Sequence, residues 1–210
     1  MANRNFQRKR EARQQNLRFL ITSEGKVTEP EYLDIVKAHR RIRSADIRIL
    51  PPPPTSPKEI VAKACDLKRQ ARRDDPYDAV WCIFDVEPQV GQKARPGLAD
   101  AMQMASANGI SVALSNPCFE LWILLHSEDC QSLVYSSKVQ QRCAELELVT
   151  GKHLCNPDQI LSNCQAACQR AKDLDSMHQR NGNHKREDQN PSTSMSKLLE
   201  AIDRAFPPVS

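Results

Sequence analysis

Glycine is scarce in this chain, six residues in 210, which leaves little room for glycine-rich phosphate loops. The dinucleotide fingerprint G-x-G-x-x-G occurs nowhere. A Walker A loop needs G-x4-G-K-[ST]; "TSEGKVT" supplies Gly25-Lys26 but lacks the first glycine and has Val27 where the hydroxyl belongs. No apolar run approaches the roughly 20 residues of a membrane-spanning helix, and the N-terminus carries no hydrophobic signal core. The expectation is a cytoplasmic protein without a membrane partner. C-x2-C pairs are missing too: the nearest spacings are Cys164-x3-Cys168 and Cys155-x8-Cys164. The eight cysteines read as reduced, mostly buried thiols, with a zinc site as the residual alternative.

What is present is a divided charge. The net +4 conceals six basic residues against one acid in positions 1–18, a local +5 that leaves −1 for the rest. Arg4, Arg8, Lys9, Arg10 and Arg13 make residues 1–16 a basic arm. Such an arm suits nucleic-acid phosphates, with salt-dependent affinity, and equally suits a solvated terminus. The remaining chain, 40% hydrophobic and 27% charged over the whole sequence, has the balance of a folded domain.

Hydrophobic patterning then alternates between strand and helix. "RFLIT" (18–22) suits a buried strand, and a helix follows from Thr28 or Glu29 with Pro30 in its first turn. "DIRIL" (46–50) reads as a second strand. Beyond the stiff "PPPPTSP", Pro57 opens a helix whose Ile60, Ala64 and Leu67 recur at helical spacing. "AVWCIF" (79–84) is the clearest buried strand and ends on Asp85. "LADAMQMASAN" is a helix closed by Gly109, and "ISVALS" (110–115) is the fourth strand. "CFELWILLH" reads as an apolar helix, with Asn116 as its cap and Pro117 at its first position. Helices are further expected over 137–148, 157–179 and in "MSKLLEAIDRAF", the last behind a Ser/Thr cap. The fold class is α/β: a mostly parallel four-stranded sheet flanked by helices, with a helical C-terminal part. Residues 17–130 form the core, and residues 131–210 form a helical extension packed on it.

Parallel sheets bind ligands outside the carboxyl ends of their strands. Two of those ends carry acids: Glu24 after the first strand, and Asp85 with Glu87 after the third. If the Asp85-Val86-Glu87 segment stays extended, both carboxylates point to one side. Grouped carboxylates suit Mg²⁺ or Mn²⁺. Strand-end acids are also common as solvated turn residues, but Asp85 follows a strand that must be buried. Glu29 and Glu31 are explained by the favourable field at a helix N-terminus. Glu120, on the apolar helix, can join or orient the acids. His126 fits a hydrogen-bonded structural role, and Cys118 a buried thiol.

Four blocks in order, "SEGKVTEPEYL", "AVWCIFDVE", "SNPCFELWILLH" and "NPSTSMSKLL", give the chain a resemblance that runs from residue 23 to 199. Together they resemble the RloB-like family, associated with bacterial abortive infection and phage resistance. The resemblance implies a Toprim-like (Rossmann-like) core, with a glutamate after the first strand and an Asp-x-Asp after a later one binding Mg²⁺. Glu24 matches the glutamate; Asp85 and Glu87 match the pair, Glu87 departing from the aspartate of that pattern. The implied activity is a Mg²⁺- or Mn²⁺-dependent nuclease, with Asp85 and Glu87 as metal ligands. Glu24 would be a general acid/base or the ligand of a second ion, and Lys26 a contact to phosphate. The implied substrate is DNA or RNA, and the implied partner an AAA/ABC-type (RloA-like) ATPase, in keeping with the missing P-loop. The alternative is a non-catalytic nucleic-acid-binding or regulatory subunit of an ATPase-containing defence complex, which the Glu87 departure keeps open.

Overall fold

The computed structural model of the chain describes residues 17–43, 47–50, 56–71, 75–88 and 94–207. The basic arm, with Arg4, Arg8, Lys9, Arg10 and Arg13, lies outside the described residues, as do Pro51–Pro54.

The described chain runs β1 (Phe19–Ser23), α1 (Thr28–His39), β2 (Ile47–Leu50), α2 (Pro57–Gln70), β3 (Ala79–Asp85), α3 (Leu98–Ala107), β4 (Ser111–Asn116) and α4 (Glu120–Leu124). It continues through α5 (Ser136–Glu145), β5 (Val149–Thr150), β6 (His153–Leu154), α6 (Pro157–Ser162), α7 (Cys164–Arg180), β7 (Ser192–Thr193) and α8 (Met195–Ala205). The main sheet has the order β2-β1-β3-β4-β7. β2, β1, β3 and β4 are parallel, and β7 runs antiparallel to β4.

Both faces of this sheet are buried, as helical crossovers between parallel strands require. Side-chain alternation divides the apolar residues between two cores. Phe19, Ile21, Ile83 and Ala113 face α1, α4, α7 and α8, with Tyr32, Trp122, Leu174 and Leu198. Leu20, Val80, Cys82, Phe84 and Leu114 face α2 and α3, with Ile60, Ala64 and Ala101. The uninterrupted apolar run of β3 serves both layers at once. Helix α2 begins with the expected proline, and Ser56 and Glu59 complete a capping box. Gly109 closes α3 at φ 58°, a left-handed position that costs glycine nothing.

Several expectations are corrected. The sheet has five strands, not four. The fifth, β7, is two polar residues long, too short for any periodicity, and is held by pairing Ser192 with Asn116 and Thr193 with Ser115. The 157–179 helix is two, α6 and α7, separated at Asn163. A two-stranded hairpin, β5–β6, follows α5. Asn116 does not cap a helix: it is the last residue of β4, and its Nδ2 donates to the Glu187 carbonyl at 3.1 Å. Helix α4 starts later, at Glu120, with no side-chain cap. The Ser194 side chain does not cap α8 either. Its Oγ accepts from Leu114 N at 2.8 Å and donates to the Leu114 carbonyl, joining α8 to the sheet.

Candidate functional site

The carboxyl ends of β1, β3 and β4 lie side by side, so the turns after them meet at one rim. Glu24 leaves β1 with its N–H still donating to the Ile83 carbonyl, 2.9 Å away, as if the strand continued. Asp85 has the same parity as Ile83, and therefore faces the layer that carries α1 and α4. There it meets the electrostatic field of Glu29, Glu24 and Glu120. Asp85 is 9% exposed, and its Oδ1 has no hydrogen-bond partner among the described residues. Its carboxyl is held well above the usual carboxylate range, first by desolvation and then by the three neighbouring acids.

Glu29 enters the site from the first turn of α1. It is 5% exposed, and its Oε1 accepts from the Gly25 N–H at 2.8 Å. Burial raises its pKa to about 7, with Glu120 and Glu24 adding to the rise and backbone hydrogen bonds opposing it. This contact explains the glycine in the turn. A Cβ on residue 25 would stand 1.7 Å from Glu29 Oε2, so only glycine lets the carboxylate close on the backbone. The turn after β1 thus cradles an acid of its own chain where a phosphate loop would cradle a ligand.

Glu24 is held by Arg95, whose two Nη atoms donate to its two carboxylate oxygens. Its Oε2 also accepts from Asp85 N at 3.3 Å, linking the two rim acids. The Arg95 side chain is 10% exposed, and its Nη1 also lies 3.6 Å from Glu87 Oε2. Desolvation opposes the charge of Arg95, but Glu24, Glu87 and Asp85 together outweigh it and keep the guanidinium pKa raised.

Of the residues singled out by sequence, Glu24, Asp85 and Glu120 are brought to the rim. Glu87 is only partly so. The segment does not stay extended: β3 ends at Asp85, Glu87 takes φ 40°, and its N–H donates to the Pro117 carbonyl at 3.0 Å. Its side chain is 54% exposed while Asp85 is buried, so the two carboxylates do not form the expected same-side pair. Lys26 is exposed beside Glu24. Cys118 is a buried thiol whose pKa is pushed up by desolvation and by the charges of Asp85 and Glu120, which argues against a nucleophile. His126 is buried in the same layer, its Nδ1 2.9 Å from the Trp122 carbonyl and its Nε2 3.4 Å from Tyr32 Oη.

Glu29 and Arg95 are the site residues that sequence reasoning missed. Glu29 has an ordinary explanation at a helix N-terminus, which hides its burial; the glycine four residues earlier is the signal that could have found it. Arg95 carries no signal, because only the loop path from β3 to α3 brings it to Glu24.

The donor set fits a hard divalent cation in kind: oxygen ligands only, one buried oxygen without a partner, and acids that raise one another's pKa. It is not assembled as a ready ligand set. No group of three or more His, Cys, Asp or Glu side chains among the described residues is placed to hold a metal ion, and Arg95 occupies Glu24. Among the described residues, no helix is long and apolar enough to cross a membrane.

A family model described as RloB-like protein matches residues 19–202, nearly the whole described chain. No curated protein matches.

Proposed function

Because the chain belongs to the RloB-like family, we propose that its acidic sheet rim is the centre of a Mg²⁺- or Mn²⁺-dependent nuclease acting in bacterial abortive infection. The observation that carries this reading is Asp85: a buried carboxyl, one oxygen unpartnered, facing other acids at the carboxyl end of a parallel sheet. A carboxyl buried among other acids is costly to ionise, and such an arrangement suits a site where a bound cation offsets that cost. The strand-end positions of Glu24 and Asp85 support a Toprim-like reading of the core.

Asp85 and Glu24 would hold the cation, with Glu87 reaching in from the exposed side of the rim. The cation would supply Lewis-acid polarisation of a phosphodiester and a source of hydroxide near neutral pH. The chain's own groups prepare the site. Glu29 fixes the Gly25 turn and so aims Glu24. Glu120 adds negative field behind Asp85. Lys26 projects into solvent from the same turn, where it can meet a backbone phosphate, and the basic arm would extend that contact along DNA or RNA. A chain that spells no P-loop would depend on an AAA/ABC-type ATPase partner for nucleotide hydrolysis, in the cytoplasm where phage nucleic acid is met.

A second reading has its own observation. Arg95 already neutralises Glu24, as a resident cation would in a non-catalytic, nucleic-acid-binding or regulatory subunit. Calorimetric titration of the parent and Asp85→Asn with Mn²⁺, beside cleavage assays on DNA and RNA, separates the two. The nuclease reading expects Mn²⁺ binding that Asp85→Asn removes together with cleavage. Binding that is absent, or indifferent to the substitution, establishes the subunit reading in its place.

A further inference from the structure

We propose that Arg95 is an exchangeable counter-cation: it holds Glu24 until a divalent ion takes that carboxylate, then moves its guanidinium into the adjoining hollow. The inference rests on the metal reading of the rim and adds a positioning residue that the family resemblance does not supply.

Three features of Arg95 distinguish it from an ordinary structural ion pair. First, it covers both oxygens of Glu24, so the guanidinium and a metal ion compete for the same ligand atoms. Second, its Nε is buried with no hydrogen-bond partner among the described residues, so the paired position leaves one donor of the guanidinium unused. A buried pair selected for stability alone would satisfy that donor.

Third, there is somewhere for the side chain to go. Arg95 itself lines an open hollow of about 170 Å³ between the start of α3 and the 186–188 turn. Asp100 and Glu187 line the same hollow, and neither makes an ion pair among the described residues. The hollow therefore offers the departing guanidinium two carboxylate acceptors. Its far wall is tied to the end of β4 by the Asn116–Glu187 hydrogen bond, so it is part of the rim.

The test is calorimetric titration of the full chain with Mn²⁺ alone, in the parent and in Arg95→Ala, Asp85→Asn and the double variant Asp100→Asn/Glu187→Gln. Removing the competitor should tighten Mn²⁺ binding about tenfold, a coupling of ordinary size between two linked equilibria. Removing the acceptors should weaken it about threefold, because the displaced guanidinium loses its host. A fixed ion pair would also change the affinity through charge alone, but the weakening caused by Asp100→Asn/Glu187→Gln would then persist in the Arg95→Ala background; under exchange it disappears there, because no guanidinium remains to be received. Unchanged or weaker binding by Arg95→Ala, with Asp85→Asn still abolishing it, overturns the exchange and leaves the metal reading standing. Binding by neither parent nor Arg95→Ala overturns both. If Arg95→Ala does not fold, the double variant decides, and an affinity equal to the parent's refutes the exchange.

Discussion

One strand separates two buried polar regions of opposite character. At the edge, where β7 joins β4, the buried polar groups include no carboxylate and most are matched, Asn116 Oδ1 and Gln189 Oε1 being the exceptions among the described residues. Ser115 Oγ lies 2.9 Å from Thr193 Oγ1, Ser194 Oγ bonds both backbone groups of Leu114, and His178 Nε2 is 2.9 Å from the Pro191 carbonyl. At the centre, Asp85, which pairs in register with Ser115, is a carboxyl with an unpartnered oxygen among other acids. Neutral hydroxyls exchange hydrogen bonds with water for equivalent ones with the protein, and so can serve the fold. Gathered carboxylates cannot relieve one another, and they point to a partner of opposite charge. On the proposed function, the corner serves the fold and the rim serves the chemistry.

The contrast can be broken most severely at Asp85. On the nuclease reading, Asp85→Asn should lower cleavage by about 100-fold and remove Mn²⁺ binding. It should leave the melting temperature equal or higher, because an amide needs neither a charge nor a bound proton to sit in this buried cluster of acids. A melting temperature that falls steeply would make Asp85 a structural residue like its neighbours at the edge.

Next in size is the pH dependence set by Glu29. Its folded pKa, about 7, stands above the ordinary 4.5, so the folded protein keeps a proton that the unfolded chain has lost. The stability from this group is full below pH 4.5 and declines until pH passes about 7. The shift corresponds to about 3 kcal/mol at most. Asp85 is raised as well and acts with the same sign. Denaturant titrations from pH 4 to pH 8 should show this decline in the parent and a shallower one in Glu29→Gln. Parallel slopes would mean that Glu29 ionises as it does in the unfolded chain.

Gly25→Ala should cost about 2 kcal/mol, an overpacking penalty, since its Cβ collides with the buried Glu29 carboxylate. It should also weaken Mn²⁺ binding by disturbing the turn that aims Glu24. The smallest effect belongs to the edge: Ser194→Ala should cost about 1 kcal/mol of stability, measured by denaturant unfolding, with Mn²⁺ affinity unchanged. A loss of Mn²⁺ binding in that variant would join the two regions into one site.

Much of the fold was legible because burial on both faces leaves a strong mark. The apolar run of β3 and the helical spacing of Ile60, Ala64 and Leu67 each have one economical reading, and the structure adopts it. Ser192–Thr193 was not legible as a strand, because two polar residues carry no pattern until β4 offers them an edge. Asn116 misled for a related reason. Asn before Pro reads as a helix start, but here the strand keeps its backbone and the Glu187 carbonyl takes its amide.

The succession of elements from β1 to β4 and the acids at the ends of β1 and β3 follow from the sequence alone, because those features depend on neighbours within a few residues. Tertiary structure decided which acids meet. It buried Glu29 and turned Glu87 outward. It also carried Arg95 across 71 positions to Glu24. Charge, unlike helical or strand period, acts through space, and only the folded chain sets the distances and the desolvation on which it depends.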